Sequence, residues 1–176
     1  LRGGKSQLYE GGIRVPLIVR WPGHVRESSV CTQPTANYDF YPTVLAATDV
    51  SPDPTQKLDG VSTLPTWKDP TIEPDREAIF WHYPHYSNQG GWPAASVRSE
   101  KWKLIENFED GSLELYNLEE DISEMSNCYE SYPEKTKELH ILLQNWQKDV
   151  EALIPEANPN WPEKCIRPLV PNNAHV

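Results

Sequence analysis

Apolar positions along this chain follow two periodicities, and each marks out its own elements. Between residues 76 and 118 the period is two. Arg76–Trp81 reads as one strand and Ala94–Arg98 as a second, followed by Lys101–Asn107 and Ser112–Tyr116. Trp102, Leu104, Leu113 and Leu115 each alternate with charged or polar neighbours, so each strand is expected to bury one face. Glu109-Asp110-Gly111 separates the last two runs, and Asp-Gly between alternating segments is a strong hairpin signal. An antiparallel meander is expected. Over residues 131–153 the period becomes helical, with Leu139, Leu142, Leu143, Trp146, Val150 and Leu153 on one face. Ser131 and Glu134 have the spacing of a capping box, and Pro155 stops the run. This helix is expected to pack across the meander. A shorter helix is expected over Tyr38–Ala47 behind an Asn37 N-cap, with Phe40, Val44 and Leu45 at helical spacing. Asp49–Pro54 and Lys68–Pro74 read as surface loops, and the chain from Asn158 on as an irregular wrap.

Two stretches carry candidate chemistry. Ile13, Val15, Leu17, Ile18 and Val19 read as a buried β-branched strand, and Lys5 precedes it between Gly3-Gly4 and Gly11-Gly12. Such glycines can take positive φ and let a ligand approach the backbone. A lysine ammonium between them suits a small oxyanion, although a glycine turn with a solvated lysine fits the same residues. The second stretch, Trp81–Trp92, gathers His82, His85, four aromatic rings, Asn88 and Gln89 into what reads as a loop between strands. Aromatic faces beside imidazole and amide groups suit a sugar ring, and they equally suit a seal between subdomains. His82 and His85 are the candidate substrate contacts. No metal ligands are assigned, since the two histidines lie close together with no carboxylate in the loop.

The residues Leu1-Arg2-Gly3-Gly4-Lys5, Tyr9-Glu10-Gly11-Gly12-Ile13-Arg14-Val15-Pro16 and Leu17-Ile18-Val19-Arg20-Trp21-Pro22-Gly23 resemble the second signature of type I sulfatases, in the alkaline phosphatase superfamily. Asp59-Gly60-Val61-Ser62 is similar to a further family stretch. Arg98, Lys101-Trp102-Lys103-Leu104 and Glu114-Leu115-Tyr116-Asn117-Leu118 resemble the family's C-terminal subdomain. The resemblance implies an α/β class, the C-terminal part of an alkaline-phosphatase-like sulfatase fold ending in a small antiparallel sheet packed by one long helix. Residues 1–75 would be the end of the catalytic α/β domain, 76–160 the C-terminal subdomain and 161–176 an irregular tail.

The resemblance further implies hydrolysis of sulfate esters, with a sulfated carbohydrate as substrate and Lys5 as the sulfate-binding catalytic residue. Tyr9, Glu10 and Arg14 would brace its loop. The family's formylglycine, matured from a Cys or Ser in a Cys/Ser-x-Pro-x-Arg motif, has no counterpart here; Cys31 is followed by Thr32-Gln33-Pro34-Thr35. The family's calcium ligands also have no counterpart. Both cofactors are therefore expected from an upstream sulfatase segment, which becomes this chain's necessary partner, and the chain alone is expected to be inactive. By the same resemblance the intact enzyme would be periplasmic, secreted or lysosomal. Two other readings fit these residues: a phosphodiesterase or phosphonate hydrolase of the same superfamily, and a non-catalytic module that binds sulfated glycan.

Composition narrows the partners. A formal charge of −10 over 176 residues argues against non-specific binding to nucleic acid or to an anionic membrane. Positive charge for a polyanionic substrate would have to be concentrated in Lys5, Arg14, Arg98, Lys101 and Lys103. Three cysteines give no metal pattern and at most one disulfide. The acidic clusters Glu119-Glu120-Asp121 and Glu106/Glu109/Asp110 read as solvated turns.

Overall fold

The alternating run folds as four strands, as its period requires. The computed structural model describes residues 1–156 and 158–160, so Cys165 and the expected tail at 161–176 lie outside the described residues. In chain order the elements are α1 (Glu10–Ile13), a 3-10 turn (Asn37–Asp39), α2 (Phe40–Ala47), α3 (Leu64–Lys68), β1 (Ile79–Tyr83), β2 (Ala94–Ser99), β3 (Trp102–Asn107), β4 (Leu113–Asn117) and α4 (Pro133–Asp149). The strands lie in sheet order β1-β2-β3-β4, and β3 is antiparallel to both neighbours, with Val97 opposite Leu104 and Leu104 opposite Leu115. At the Asp110-Gly111 turn Asn107 N–H donates to the Ser112 carbonyl at 3.0 Å, and Gly111 takes φ +69°, a conformation that favours glycine.

Both faces of this sheet are covered, where the alternation predicted one. On one face lie Val97, Leu104 and Leu115, and α4 packs across β2 and β3 with Leu139 and Leu143 fully buried. Burial of each leucine contributes about 1.5–3 kcal/mol. Phe80 of β1 stacks on Trp146 of α4 at 4.8 Å, and His140 Nε2 meets Glu106 Oε1 at 3.2 Å. The other face carries Ser96, Arg98, Lys103, Ile105, Glu114 and Tyr116, the polar half of the alternation. It is buried because Leu1–Arg14 folds back over it, with Tyr9 packed among Ala94, Ile105, Tyr116 and Leu118. Leu1–Arg14 and the described residues from Phe80 on accordingly form one compact unit, and Val15–Ile79 forms another. The first fourteen residues thus group with the sheet rather than with residues 15–75.

The long helix differs from expectation at both ends. Its N-cap is Tyr132, without a side-chain cap hydrogen bond, so the Ser131/Glu134 capping box does not form. Thr136 Oγ1 instead donates to the Tyr129 carbonyl at 3.0 Å, tying the first turn to the preceding loop. The helix stops at Asp149 with Val150 as its exposed C-cap, and Glu151 adopts φ +51°, which carries Leu153 out of the helical stripe and leaves it exposed.

The second unit is built around a buried carboxylate. Asp39 accepts hydrogen bonds from Ala36 N–H at 2.7 Å and Val61 N–H at 3.1 Å, and pairs with Arg76 Nη2 at 2.5 Å. Arg76 lies before β1, which begins at Ile79 and not at Arg76 as the alternation suggested. Asn37 lies inside the 3-10 turn and Ala36 takes the cap position expected for Asn37. The strand expected over residues 13–19 does not form. Ile13 ends α1, Arg14 is its C-cap, and Val15 and Ile18 are 80% and 89% exposed. A strand needs a neighbour for its N–H and C=O groups, and among the described residues none pairs with this segment.

Candidate active site

Lys5 sits at the second position of a tight turn, Gly4–Gln7, closed by Gln7 N–H donating to the Gly4 carbonyl at 3.0 Å. Ser6, at the third position, takes φ +76°, the value that the type II class of turn requires there. The Lys5 side chain is exposed and makes no ion pair among the described residues. Directly after the turn, α1 packs against it at very close range. A Cβ on Gly11 would lie 2.4 Å from the carbonyl oxygens of Arg2 and Gly3, and one on Gly12 would lie 2.0 Å from that of Gln7. The second glycine pair therefore serves backbone packing and not, as its sequence suggested, a positive φ or an approaching ligand.

Beneath the turn lies a buried charge cluster. Lys103 Nζ is 3.0 Å from Glu10 Oε1 and 2.8 Å from Glu124 Oε1; the second contact is charge to charge, outside hydrogen-bond alignment. Glu124 Oε2 accepts from Glu10 N–H at 2.6 Å, which anchors the start of α1. Arg14 and Arg98 approach the other oxygen of Glu10 at 3.4 and 3.9 Å. Burial pushes the Glu124 carboxyl above its ordinary pKa, and Lys103 offsets part of that rise. Lys103, Arg98 and Arg14 are therefore committed to Glu10, and the local excess of free positive charge expected from them is not present.

A second network fixes Tyr9. Its hydroxyl donates to Glu114 at 2.9 Å, the Tyr116 hydroxyl donates to the same carboxylate, and Arg2 lies 3.9 Å over the Tyr9 ring. Arg2 Nη1 also donates to Tyr116 Oη at 2.8 Å and to the Glu124 carbonyl at 2.9 Å. Burial first, and then the Glu114 charge, raise both phenols well above the ordinary tyrosine pKa near 10. A raised folded value means that their contribution is complete below the unfolded pKa and is lost as pH rises beyond it. In an alkaline titration followed by tyrosinate absorbance, Tyr9 and Tyr116 are expected to ionise only as the chain unfolds. Release of all phenols in one step near pH 10, with the fold intact, would contradict this assignment.

The aromatic stretch is split by the sheet. Trp81, His82 and Tyr83 belong to β1, and the loop proper begins at Pro84. His82 shares the α4-side face with Phe80. Its Nε2 lies 3.0 Å from the Leu153 carbonyl, its ring is tilted against Phe108, and its buried Nδ1 has no partner. His82 and Lys5 are thus on opposite sides of the sheet. His85 is exposed and meets Tyr83 edge-on at 5.4 Å. The loop's far end does reach the lysine turn. Gln7 Nε2 donates to the Gly90 carbonyl at 3.2 Å, and a Cβ on Gly91 would lie 2.0 Å from the Ser6 carbonyl oxygen. Trp92 packs edge-on to Tyr9 at 6.0 Å and donates through Nε1 to Asn107. Sequence reasoning missed Gln7, Gly91 and Glu124. Only the paired glycines at 90–91 signalled a close approach.

Among the described residues no three His, Cys, Asp or Glu side chains converge to hold a metal ion. Cys31 is an exposed thiol, and Cys128 Sγ contacts the Leu115 carbonyl at 3.1 Å.

Comparison with known proteins accounts for this combination of lysine turn, covered sheet and long helix. Residues 4–150 match the family model described as N-sulphoglucosamine sulphohydrolase, C-terminal. A sulfatase of Formosa agariphila is 34% identical over 155 residues, covering 82% of this chain and 28% of its own length. The N-acetylglucosamine-6-O-sulfatase of Bacteroides thetaiotaomicron is 31% identical over 160 residues, covering 86% of this chain and 28% of its own. A solved structure, BT4656 in complex with its substrate D-glucosamine-2-N,6-O-disulfate, superposes with a TM-score of 0.70 at 30% identity, over 81% of this chain and 30% of that one. The chain thus spans less than a third of the length of these proteins. With the family model matched across the lysine turn, the sheet and α4, the chain belongs to the sulfatase family and represents its C-terminal part.

Proposed function

We propose that the protein carrying this chain hydrolyses sulfate esters of a carbohydrate, and that Lys5 is the residue of this chain that grips the sulfate. The observation that carries the reading is an exposed lysine on a rigidly seated turn, within the region that matches the sulfatase model. As the S–O bond breaks, negative charge grows on the leaving oxygen and stays on the non-bridging oxygens. A held ammonium donates to those oxygens and stabilises the developing charge by roughly 2–4 kcal/mol. Calcium and formylglycine, which the family resemblance assigns to residues outside this chain, would supply charge neutralisation and the attacking oxygen. His85, exposed in the loop after β1, offers an imidazole to the sugar. His82 is engaged by Leu153 and serves to hold the end of β1 in place.

The test is sulfate release, by ion chromatography, from N-acetylglucosamine 6-sulfate, D-glucosamine-2-N,6-O-disulfate and 4-nitrophenyl sulfate, with bis(4-nitrophenyl) phosphate as the phosphodiester control. Release is expected from the protein that includes the upstream segment, and none from the 176-residue chain alone. Hydrolysis of the phosphodiester without sulfate release would assign the protein to phosphoryl chemistry. Binding of the sulfated sugars without turnover would make it a recognition module.

A further inference from the structure

Lys5 itself makes no ion pair among the described residues, so its place in space depends on the four-residue turn that carries it. That turn is under local strain. Ser6 holds φ +76°, a conformation that costs a non-glycine residue energy and persists only where the surroundings impose it. The close packing of α1 against the turn is one part of those surroundings, and the Gln7 side chain is another. Gln7 reaches back along its own turn, and its Oε1 accepts from Gly4 N–H at 3.2 Å while its backbone N–H closes the turn on the Gly4 carbonyl. Its Nε2 reaches outward to the Gly90 carbonyl at 3.2 Å. A carboxamide suits this double role, since its oxygen accepts while its NH₂ donates. The glycines around it leave room for this arrangement. A Cβ on Gly3 would sit 2.5 Å from Gln7 Oε1, and a Cβ on Gly91 would strike the Ser6 carbonyl.

We infer that Gln7 is a positioning residue for sulfate hydrolysis, stapling the lysine turn to the loop between β1 and β2 so that the Lys5 ammonium is held where the sulfate binds. The inference rests on the reading of Lys5 given above. The staple also joins the two stretches that carry candidate chemistry, because the loop it grips is the one that presents His85. A misplacement of about 1 Å in a catalytic group costs on the order of 10²-fold in rate, which sets the scale of the expected effect.

The discriminating variant is Gln7→Glu, which keeps the shape and the bond to Gly4 N–H but turns a carboxylate oxygen toward the Gly90 carbonyl. In the protein that includes the upstream segment, assayed on the sulfate ester it turns over fastest, kcat is expected to fall about 10–100-fold with an unchanged melting midpoint. Amide exchange at Gly4 and Gln7 should quicken in the same variant. Gly91→Ala, which displaces the turn by steric contact with the Ser6 carbonyl instead of by charge, should reproduce the loss of kcat and the faster exchange, with a lowered melting midpoint. In the Lys5→Ala background Gln7→Glu should cost nothing further, because both act through one group. Parent kcat and parent exchange in Gln7→Glu, or a loss that adds fully to that of Lys5→Ala, would overturn the inference while leaving Lys5 in its role. Full activity in Lys5→Ala would overturn the reading of Lys5 and the inference with it.

Discussion

Lys103→Met is expected to lower the unfolding free energy by about 3–5 kcal/mol at neutral pH, the cost of leaving buried charge without its partner. Lys103, Glu10 and Glu124 are all withdrawn from water, and Lys103 is the counter-ion closest to both carboxylates. Methionine fills much the same space, so the loss reports charge and not a cavity. The effect depends on pH in a defined direction. Burial already raises the Glu124 carboxyl above its ordinary pKa, and without Lys103 the charge that offsets part of that rise is gone. Groups raised in this way favour the fold below the unfolded pKa and oppose it progressively as pH rises through the folded one. The deficit should therefore be largest at pH 7–8 and shrink toward pH 5, as read by urea melts of the chain at each pH. Adding Glu124→Gln should recover part of it. A Lys103→Met chain as stable as the parent at pH 7.5 would show that the cluster carries no net weight.

Lys5→Ala is expected to do the reverse, leaving stability unchanged and abolishing most turnover. Removal of one preorganised donor to a developing oxyanion costs about 10²–10³ in kcat. The side chain is exposed and unpaired among the described residues, so no folding energy goes with it. Lys5→Arg should recover little, because a planar guanidinium on a different stem does not place a point charge where the ammonium stood. The measurement is kcat for sulfate release alongside a thermal melt of the same preparation. A retained kcat would remove Lys5 from the site.

The sheet was legible in the sequence because alternation and the Asp110-Gly111 turn are local signals that act within a few residues. The apolar face of α4 was legible for the same reason. Its ends were not, since Ser131 competes with Tyr132 and Pro133 for the start, and Glu151 turns the chain by a left-handed residue that has no sequence requirement. The full burial of Lys103 and the half-buried setting of Glu114 could not be read locally. Their partners, Glu10 and Tyr9, are 93 and 105 residues away, and a charged residue in an alternating strand is ordinarily solvated. The strand expected at residues 13–19 failed on the same ground, because a strand exists only with its neighbour. For the proposed site, Lys5 was singled out through a dense family signature, whereas Gln7 carries no signal by itself. Its role follows only from the contact with Gly90.

The polar face of the sheet also bears on temperature. Hydration of ions becomes less favourable as water warms, so the penalty for burying Lys103, Glu10 and Glu124 declines on heating while apolar burial levels off. The α4 side and the Leu1–Arg14 side of one sheet thus respond differently to heat. The segment that carries Lys5 is held by the side whose grip tightens relative to the other, so the lysine turn should keep its seat up to the temperature at which the sheet itself melts.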